Sequence, residues 1–179
     1  MQIRHALEAE AVALSAIAVQ AKAHSQYSAA QLDVWRKDLS VDPASIATSP
    51  TFVAEVEGEI AGFYSMHHEN GTWDLENLWV LPSHMRHGVG RALILHAAEF
   101  AAQAGAGEIT IDADPYAQPF YVACGAQTVG TVAAPIEGEP DRQRPQMVLR
   151  TQQPNPSIER MPSRVVLSAA NIRKNGHQP

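Results

Sequence analysis

The sequence predicts a mixed α/β domain built on one mostly antiparallel sheet, and three observations carry that prediction. Apolar-alternating runs at 52–56, 60–66 and 73–81 are joined by the short turns Glu57-Gly58-Glu59 and Glu69-Asn70-Gly71, the spacing of hairpin-linked strands. Segments on either side, 8–25 and 89–104, follow a helical period instead. Parallel neighbours need long crossovers, and none interrupts the three runs.

The elements can be taken in order. Residues 2–6 read as a short first strand. Residues 8–25 are alanine-rich, with Leu7, Val12, Leu14, Ile17 and Val19 on a broad apolar arc, and read as a helix. Ser28 is an N-cap for a second helix through Leu39, with Leu32, Trp35 and Leu39 at helical spacing. Asp42-Pro43 opens a short helical turn, since proline suits a first helical position. After the three strands, Pro82 ends the third. Val89, Leu93, His96, Ala97 and Phe100 share a face of the 89–104 helix, which Gly105 and Gly107 stop. Ile109 and Ile111 mark a strand, 118–124 a helix ended by Gly125, and 126–132 and 146–150 the last strands. Residues 133–145 hold three prolines and read as a loop.

Bulk properties exclude several classes. The 179 residues suit one domain plus a tail, and 45% hydrophobic with 18% charged content supports a packed core. No apolar run approaches the roughly 18 residues of a membrane span, so no membrane partner is expected. The N-terminus lacks the basic and apolar regions of a signal peptide, and the single Cys124 excludes an internal disulfide. Both features point to a reducing, cytoplasmic setting. The net charge is −6 and residues 1–140 show no basic cluster, which argues against a nucleic-acid partner. From 152 the prolines Pro154, Pro156 and Pro162 mark a flexible extension beyond a 1–151 domain, with Val165-Val166-Leu167 its one short apolar piece able to dock.

The segment that carries chemistry is Val80-Leu81-Pro82-Ser83-His84-Met85-Arg86-His87-Gly88-Val89-Gly90-Arg91-Ala92-Leu93. Strand, proline, tight loop, two spaced glycines and a long helix form an anion cradle: free N–H groups at the helix start point at the ligand and the helix dipole favours negative charge. Gly88 and Gly90 let the main chain approach a diphosphate closely. A dinucleotide-binding loop would need a third glycine where Leu93 stands, and a Walker loop would need Lys-Ser/Thr after Gly90 rather than Arg91-Ala92.

This segment resembles the GNAT acetyltransferase superfamily, whose Gln/Arg-x-x-Gly-x-Gly/Ala signature follows a strand ending in Val-x-Pro. Met85 stands at the Gln/Arg position. A second segment, Asp114-Pro115-Tyr116-Ala117-Gln118-Pro119-Phe120-Tyr121-Val122-Ala123-Cys124-Gly125-Ala126, is similar to the family's Asn-x-x-Ala-x-x-Phe-Tyr-x-x-x-Gly-Phe. Asp114 replaces Asn and Ala126 replaces Phe. The resemblance covers about residues 1–150. It implies the GNAT fold, with a splay after strand 4 and helices on both faces, and acetyl-CoA as co-substrate. The residues that would bind it are Leu78, Trp79, Val80, Met85, Arg86, His87, Gly88, Val89, Gly90, Arg91, Ala92, Asp114, Ala117 and Phe120.

The resemblance further implies acetyl transfer to a primary amine of a small molecule or peptide, by direct attack in a ternary complex. Such an amine must lose a proton, the thioester carbonyl must be polarised, and the leaving sulfur must gain a proton. Glu76 is the expected base, with Asp74 and His67 behind it; strand alternation would set Asp74, Glu76, Leu78 and Val80 on one face. Tyr121 is the expected acid, with Tyr116 its rival. Cys124 reads as a small buried residue. The eight histidines form no metal-ligand pattern, and no metal is expected. Acceptor selection is expected from 23–39 and 133–145. A homodimer is left open by analogy. The alternative is a CoA-binding sensor or regulatory domain without catalysis.

Overall fold

The computed structural model describes residues 1–151 apart from Gln26. These residues form one seven-stranded sheet: β1 (Gln2–His5), β2 (Thr51–Val56), β3 (Glu59–Glu69), β4 (Thr72–Val80), β5 (Glu108–Asp112), β6 (Gln127–Ala133) and β7 (Gln143–Arg150). Their order is β1-β2-β3-β4-β5-β7-β6, and every adjacent pair is antiparallel except β4 with β5. The mostly antiparallel sheet read from the hairpin spacing is the observed one. Both early turns use paired left-handed residues, Glu57 with Gly58 and Asn70 with Gly71. That two-residue geometry matches the twist of the flanking strands.

β4 and β5 pair at two positions only, Asp74 with Thr110 and Leu75 with Ile111. Beyond them the strands part, which is the splay expected after strand 4. A bulge on β4 decides what faces where. Ser65 pairs with Asn77 and Met66 with Leu75, so Glu76 is the extra residue and alternation breaks across it. Leu75, Leu78 and Val80 join one apolar cluster. Glu76 instead accepts from Ser65 Oγ at 3.2 Å, on the face where Phe63 and Trp79 pack. Glu76 therefore does not share a face with Leu78 and Val80, where unbroken strand alternation would have put it.

Helices cover both faces. α1 (Ala11–Ala23) and α3 (Pro43–Thr48) pack over Val53 and Phe63 on one side. α2 (Ala29–Trp35) begins at Ser28, whose side chain accepts from Gln31 N–H while Gln31 reaches back to the cap. α4 (Val89–Gln103) and α5 (Gln118–Ala123) cover the other side, with Leu93, Ile94 and Ala97 fully buried beneath Tyr64 and Met66. β3 and β4 approach so closely at Gly62 that a Cβ there would sit 2.6 Å from Trp79 O.

Boundaries differ from the sequence reading in three places. The first helix opens as a 3-10 turn, Glu8–Glu10, and its inward face is Leu14, Ile17, Ala18 and Ala21, while Val12 points to solvent. The second helix ends at Trp35 rather than Leu39, whose N–H still bonds Trp35 O at 2.9 Å in the following turn. β7 begins at Gln143, not 146, and the loop shrinks to 134–142. Pro145 fits this strand because it needs no donor there; its carbonyl accepts from Ala113 N–H at 2.9 Å. The extension at 152–179, with Val165 to Leu167, lies outside the described residues.

Candidate active site

The chain leaves β4 through a 3-10 turn, Pro82–His84, and then passes two left-handed residues, Arg86 (φ 63) and Gly88 (φ 86). Left-handed backbone costs a residue with a Cβ roughly 1–2 kcal/mol, so the surrounding structure holds Arg86 there. The first bond of α4 runs from Ala92 N–H to Gly88 O at 2.9 Å. Helix geometry leaves the N–H groups of Val89, Gly90 and Arg91 without partners inside the helix. Together with the dipole these donors suit a phosphate. A Cβ on Gly90 would lie 3.2 Å from the Phe120 ring, tighter than ordinary contact. Gly88, by contrast, meets nothing and serves through its backbone angle.

This loop forms one end of a cavity of about 340 Å³ that opens where β4 and β5 part. Of the residues expected to act, Leu78, Trp79, Val80, Met85, Arg86, Gly90, Asp114, Ala117, Phe120 and Tyr121 line it together. The end of α1 adds Ala21, Lys22, His24 and Ser25. His87, Gly88, Val89, Arg91 and Ala92 do not line its wall. Val89 turns its side chain into the core, and Arg91 reaches Ala123 O at 3.4 Å.

A second cavity, also about 340 Å³, adjoins the first and shares Lys22, Leu78, Trp79, Asp114, Ala117 and Tyr121 with it. Glu76 lines this second cavity and not the first. Tyr121 stands on the shared wall, buried to 7% exposure. Burial, with Asp114 and Cys124 nearby, raises its hydroxyl above the ordinary tyrosine range, so it carries its proton at neutral pH. Tyr116 lines only the first cavity, is largely exposed and meets the Tyr27 ring edge-on. Cys124 is half-buried and its thiol is raised by burial.

The residues that sequence reasoning missed surround Asp114. Its carboxylate pairs with the Lys22 ammonium, accepts from Tyr27 hydroxyl at 2.8 Å and from Tyr116 N–H at 3.0 Å, and lies 3.5 Å from Arg142. Lys22 Nζ sits 4.5 Å from the ring centres of both Tyr27 and Trp35, within reach of cation–π attraction. Arg142 donates to Tyr27 Oη at 3.0 Å and to Ala134 O at 3.1 Å. Burial alone would raise Asp114, but the Lys22 ammonium and the hydrogen bonds hold it below the usual carboxylate range. Burial lowers Lys22, Arg142 and Arg144 push the same way, and Asp114 opposes them without prevailing. The legible signal was Lys22 itself, which continues the buried Leu14, Ala18 row at four-residue spacing. A charge on that row needs a partner.

Among the described residues, no three His, Cys, Asp or Glu side chains converge as a metal site requires. No helix among them is long and apolar enough to cross a membrane.

Comparison with known proteins gives the same picture. A family model described as the acetyltransferase (GNAT) family matches residues 13–126. Streptothricin acetyltransferase of Streptomyces lavendulae is 39% identical over 69 residues, 37% of this chain and 36% of that protein, so the match spans little more than a third of either. A crystal structure of a GCN5-related N-acetyltransferase from Rhodopseudomonas palustris superposes with a TM-score of 0.69 at 25% identity, over 83% of this chain and 94% of that one. Nourseothricin acetyltransferase superposes with a TM-score of 0.52 at 31% identity, over 58% of this chain and 66% of that one. The PaiA N-acetyltransferase of Thermoplasma acidophilum, solved with coenzyme A, shares the fold at 16% identity, with a TM-score of 0.65 over 83% of this chain and 98% of that one.

Proposed function

Because the chain belongs to the acetyltransferase (GNAT) family, we propose that it moves an acetyl group from acetyl-CoA to a primary amine of a small molecule or peptide in a ternary complex. The observation that carries this reading is a pair of cavities meeting at one wall that holds Tyr121, the first of them ending at the glycine-containing helix start. Two substrates need two openings onto one point of reaction.

In this reading the CoA diphosphate rests on the free N–H groups of Val89 to Arg91, and Gly90 leaves room for it. The pantetheine arm runs along Leu78 to Val80, where β4 has lost β5 as a partner. The acceptor amine enters through the second cavity. Glu76 takes its proton through water, and the freed lone pair attacks the thioester carbonyl carbon. The carbon–sulfur bond breaks as the amide bond forms. Tyr121 gives its proton to the departing thiolate, and the second proton that the nitrogen sheds as the amide forms returns to Tyr121 through water. The products are an acetamide and CoA.

A thiol-release assay over a broad amine panel, streptothricin included, tests this. We expect turnover with at least one amine, and in Tyr121→Phe a fall in kcat of roughly a hundredfold or more with acetyl-CoA binding unchanged. Acetyl-CoA binding in calorimetry without turnover of any amine would replace the enzyme by a CoA-binding regulator. Absence of binding would refute the cavity assignment itself.

A further inference from the structure

Residues 61–66 of β3 are buried throughout, and Ser65 stands among them at 6% exposure between the fully buried Tyr64 and Met66. A buried hydroxyl is costly unless its hydrogen bonds are made. Ser65 makes two, and they belong to a longer chain. Trp79 Nε1 donates to Asn77 Oδ1 at 3.0 Å, Asn77 Nδ2 donates to Ser65 Oγ at 2.8 Å, and Ser65 Oγ donates to Glu76 Oε2 at 3.2 Å.

The strand register builds this chain. Ser65 lies directly opposite Asn77 and Phe63 opposite Trp79, so Asn77 and Trp79 project on one face by alternation. In a regular strand Glu76 would point the other way. As the extra residue of the bulge it is turned towards Ser65 instead.

The direction of every link follows from one end. An indole N–H can only donate, so the Asn77 oxygen faces Trp79 and its NH2 faces Ser65. Ser65 accepts from that amide and has its single proton left for Glu76. The chain thus ends on a carboxylate oxygen that accepts, the form a base must have. Bonds linked in this way polarise one another. Among the described residues nothing donates to the other oxygen, Oε1, so one oxygen is anchored and one is left for water or substrate. Glu76 lines the second cavity, and Trp79, at the donor end, lies on the wall that both cavities share.

Resting on the proposed acetyl transfer with Glu76 as base, we infer that Ser65 and Asn77 are positioning residues. They hold the Glu76 carboxylate in one orientation, tied through Trp79 to the wall where the two substrates meet. Glu76 is exposed, and a glutamate without such a tether spreads over several rotamers. Misplacing a reacting group by an ångström costs up to about a hundredfold in rate.

The test uses the whole chain, acetyl-CoA and an amine found to turn over. Ser65→Ala should lower kcat about tenfold and leave the KM for acetyl-CoA unchanged. Ser65→Thr, which keeps the hydroxyl, should restore most of the loss. Asn77→Asp still accepts from the indole but gives Ser65 no donor, and should lose a similar factor. Ser45→Ala removes a hydroxyl that lines the same hollow as Ser65 but bonds Asp42 O, and should match the parent. The decisive arm is the pair: in a Glu76→Gln background Ser65→Ala should cost nothing further, because the group it positions is gone. An equal loss in both backgrounds, or no loss in the parent, would overturn the inference while leaving acetyl transfer intact. A Glu76→Gln variant as active as the parent removes the base, and the inference falls with it. If no amine turns over, the acetyl-transfer reading fails first, and the Trp79 indole N–H then decides the tether. Its NMR signal, assigned with Trp79→Phe, should move on Glu76→Gln in the parent and stay still on the same change in Ser65→Ala. Equal movement in both, or none in the parent, overturns the tether. Thermal unfolding of each variant is recorded alongside, and Asn77→Asp takes the place of Ser65→Ala in every arm if the latter does not fold.

Discussion

Replacing one oxygen of Asp114 by nitrogen is the sharpest perturbation of the site. Asp114→Asn keeps the volume and can still accept from Tyr116 N–H, but it removes the charge that answers Lys22. Lys22 is 8% exposed, so its ammonium is largely withdrawn from water. Removing one partner of a buried pair costs about 3 kcal/mol or more, which for a domain of this size lowers Tm by roughly 10 °C. The pH dependence identifies the cause. Asp114 is held below its usual range, so its contribution is present above the ordinary carboxylate pKa and is lost as pH falls through its lowered folded value. Lys22 is also lowered in the folded state, so with rising pH it sheds its proton early and the attraction between the two fades. The gap between parent and variant is therefore widest between those two folded values and narrows in acid and in alkali. In the variant Lys22 falls further, because Asp114 no longer raises it, and stability climbs with pH from a lower starting point. Denaturant unfolding at acid, neutral and alkaline pH measures the gap. A gap of constant width, or one under about 1 kcal/mol at neutral pH, would refute the reasoning.

Four other outcomes are expected. Gly90→Asp should abolish measurable CoA binding in calorimetry, since its Cβ meets Phe120 at 3.2 Å and its carboxylate faces the diphosphate. Gly62→Ala should destabilise the fold by roughly 2–4 kcal/mol in denaturant unfolding, because the obstacle at 2.6 Å is the backbone oxygen of Trp79 rather than a side chain that can turn. Glu76→Gln should cost most turnover at low pH, where the acceptor is almost wholly protonated, and less as pH rises; a loss uniform in pH would remove Glu76 from the role of base. Deletion of everything after 151 should leave Tm within about 2 °C; a larger fall would place part of that extension in the fold.

Where the sequence was readable, a short-range rule governed. The two tight turns, the Ser28 cap and the 89–104 helix depend on neighbours a few residues apart, and all lie in the sequence as composition and period. The strand-to-helix loop proposed to hold the cofactor was readable as geometry for the same reason: proline, turn and two glycines are contiguous. The bulge at Glu76 was not, because it arises from how β4 registers against β3, and no residue on β4 alone announces it. The Lys22–Asp114 pair spans 92 positions. Its two halves were each visible, a lysine on an apolar helical row and an aspartate where the family carries asparagine, but nothing in one segment points to the other. Arg142 and Arg144 lay in a stretch read as loop, since Pro145 concealed the start of β7.

The joint between β4 and β5 has a mechanical meaning. Two rungs of pairing connect a plate of four strands to a plate of three, and backbone bonding across the rest of that line is left open. Stiffness there must come from α4, which packs on β3, β4 and β5, and from whatever extended molecule fills the gap. A bound pantetheine would act as a partial eighth strand, and the empty protein should flex along this line. Amide exchange across 77–80 would then slow on occupancy more than anywhere else in the sheet, so that the protein's own backbone becomes the reporter of its bound state.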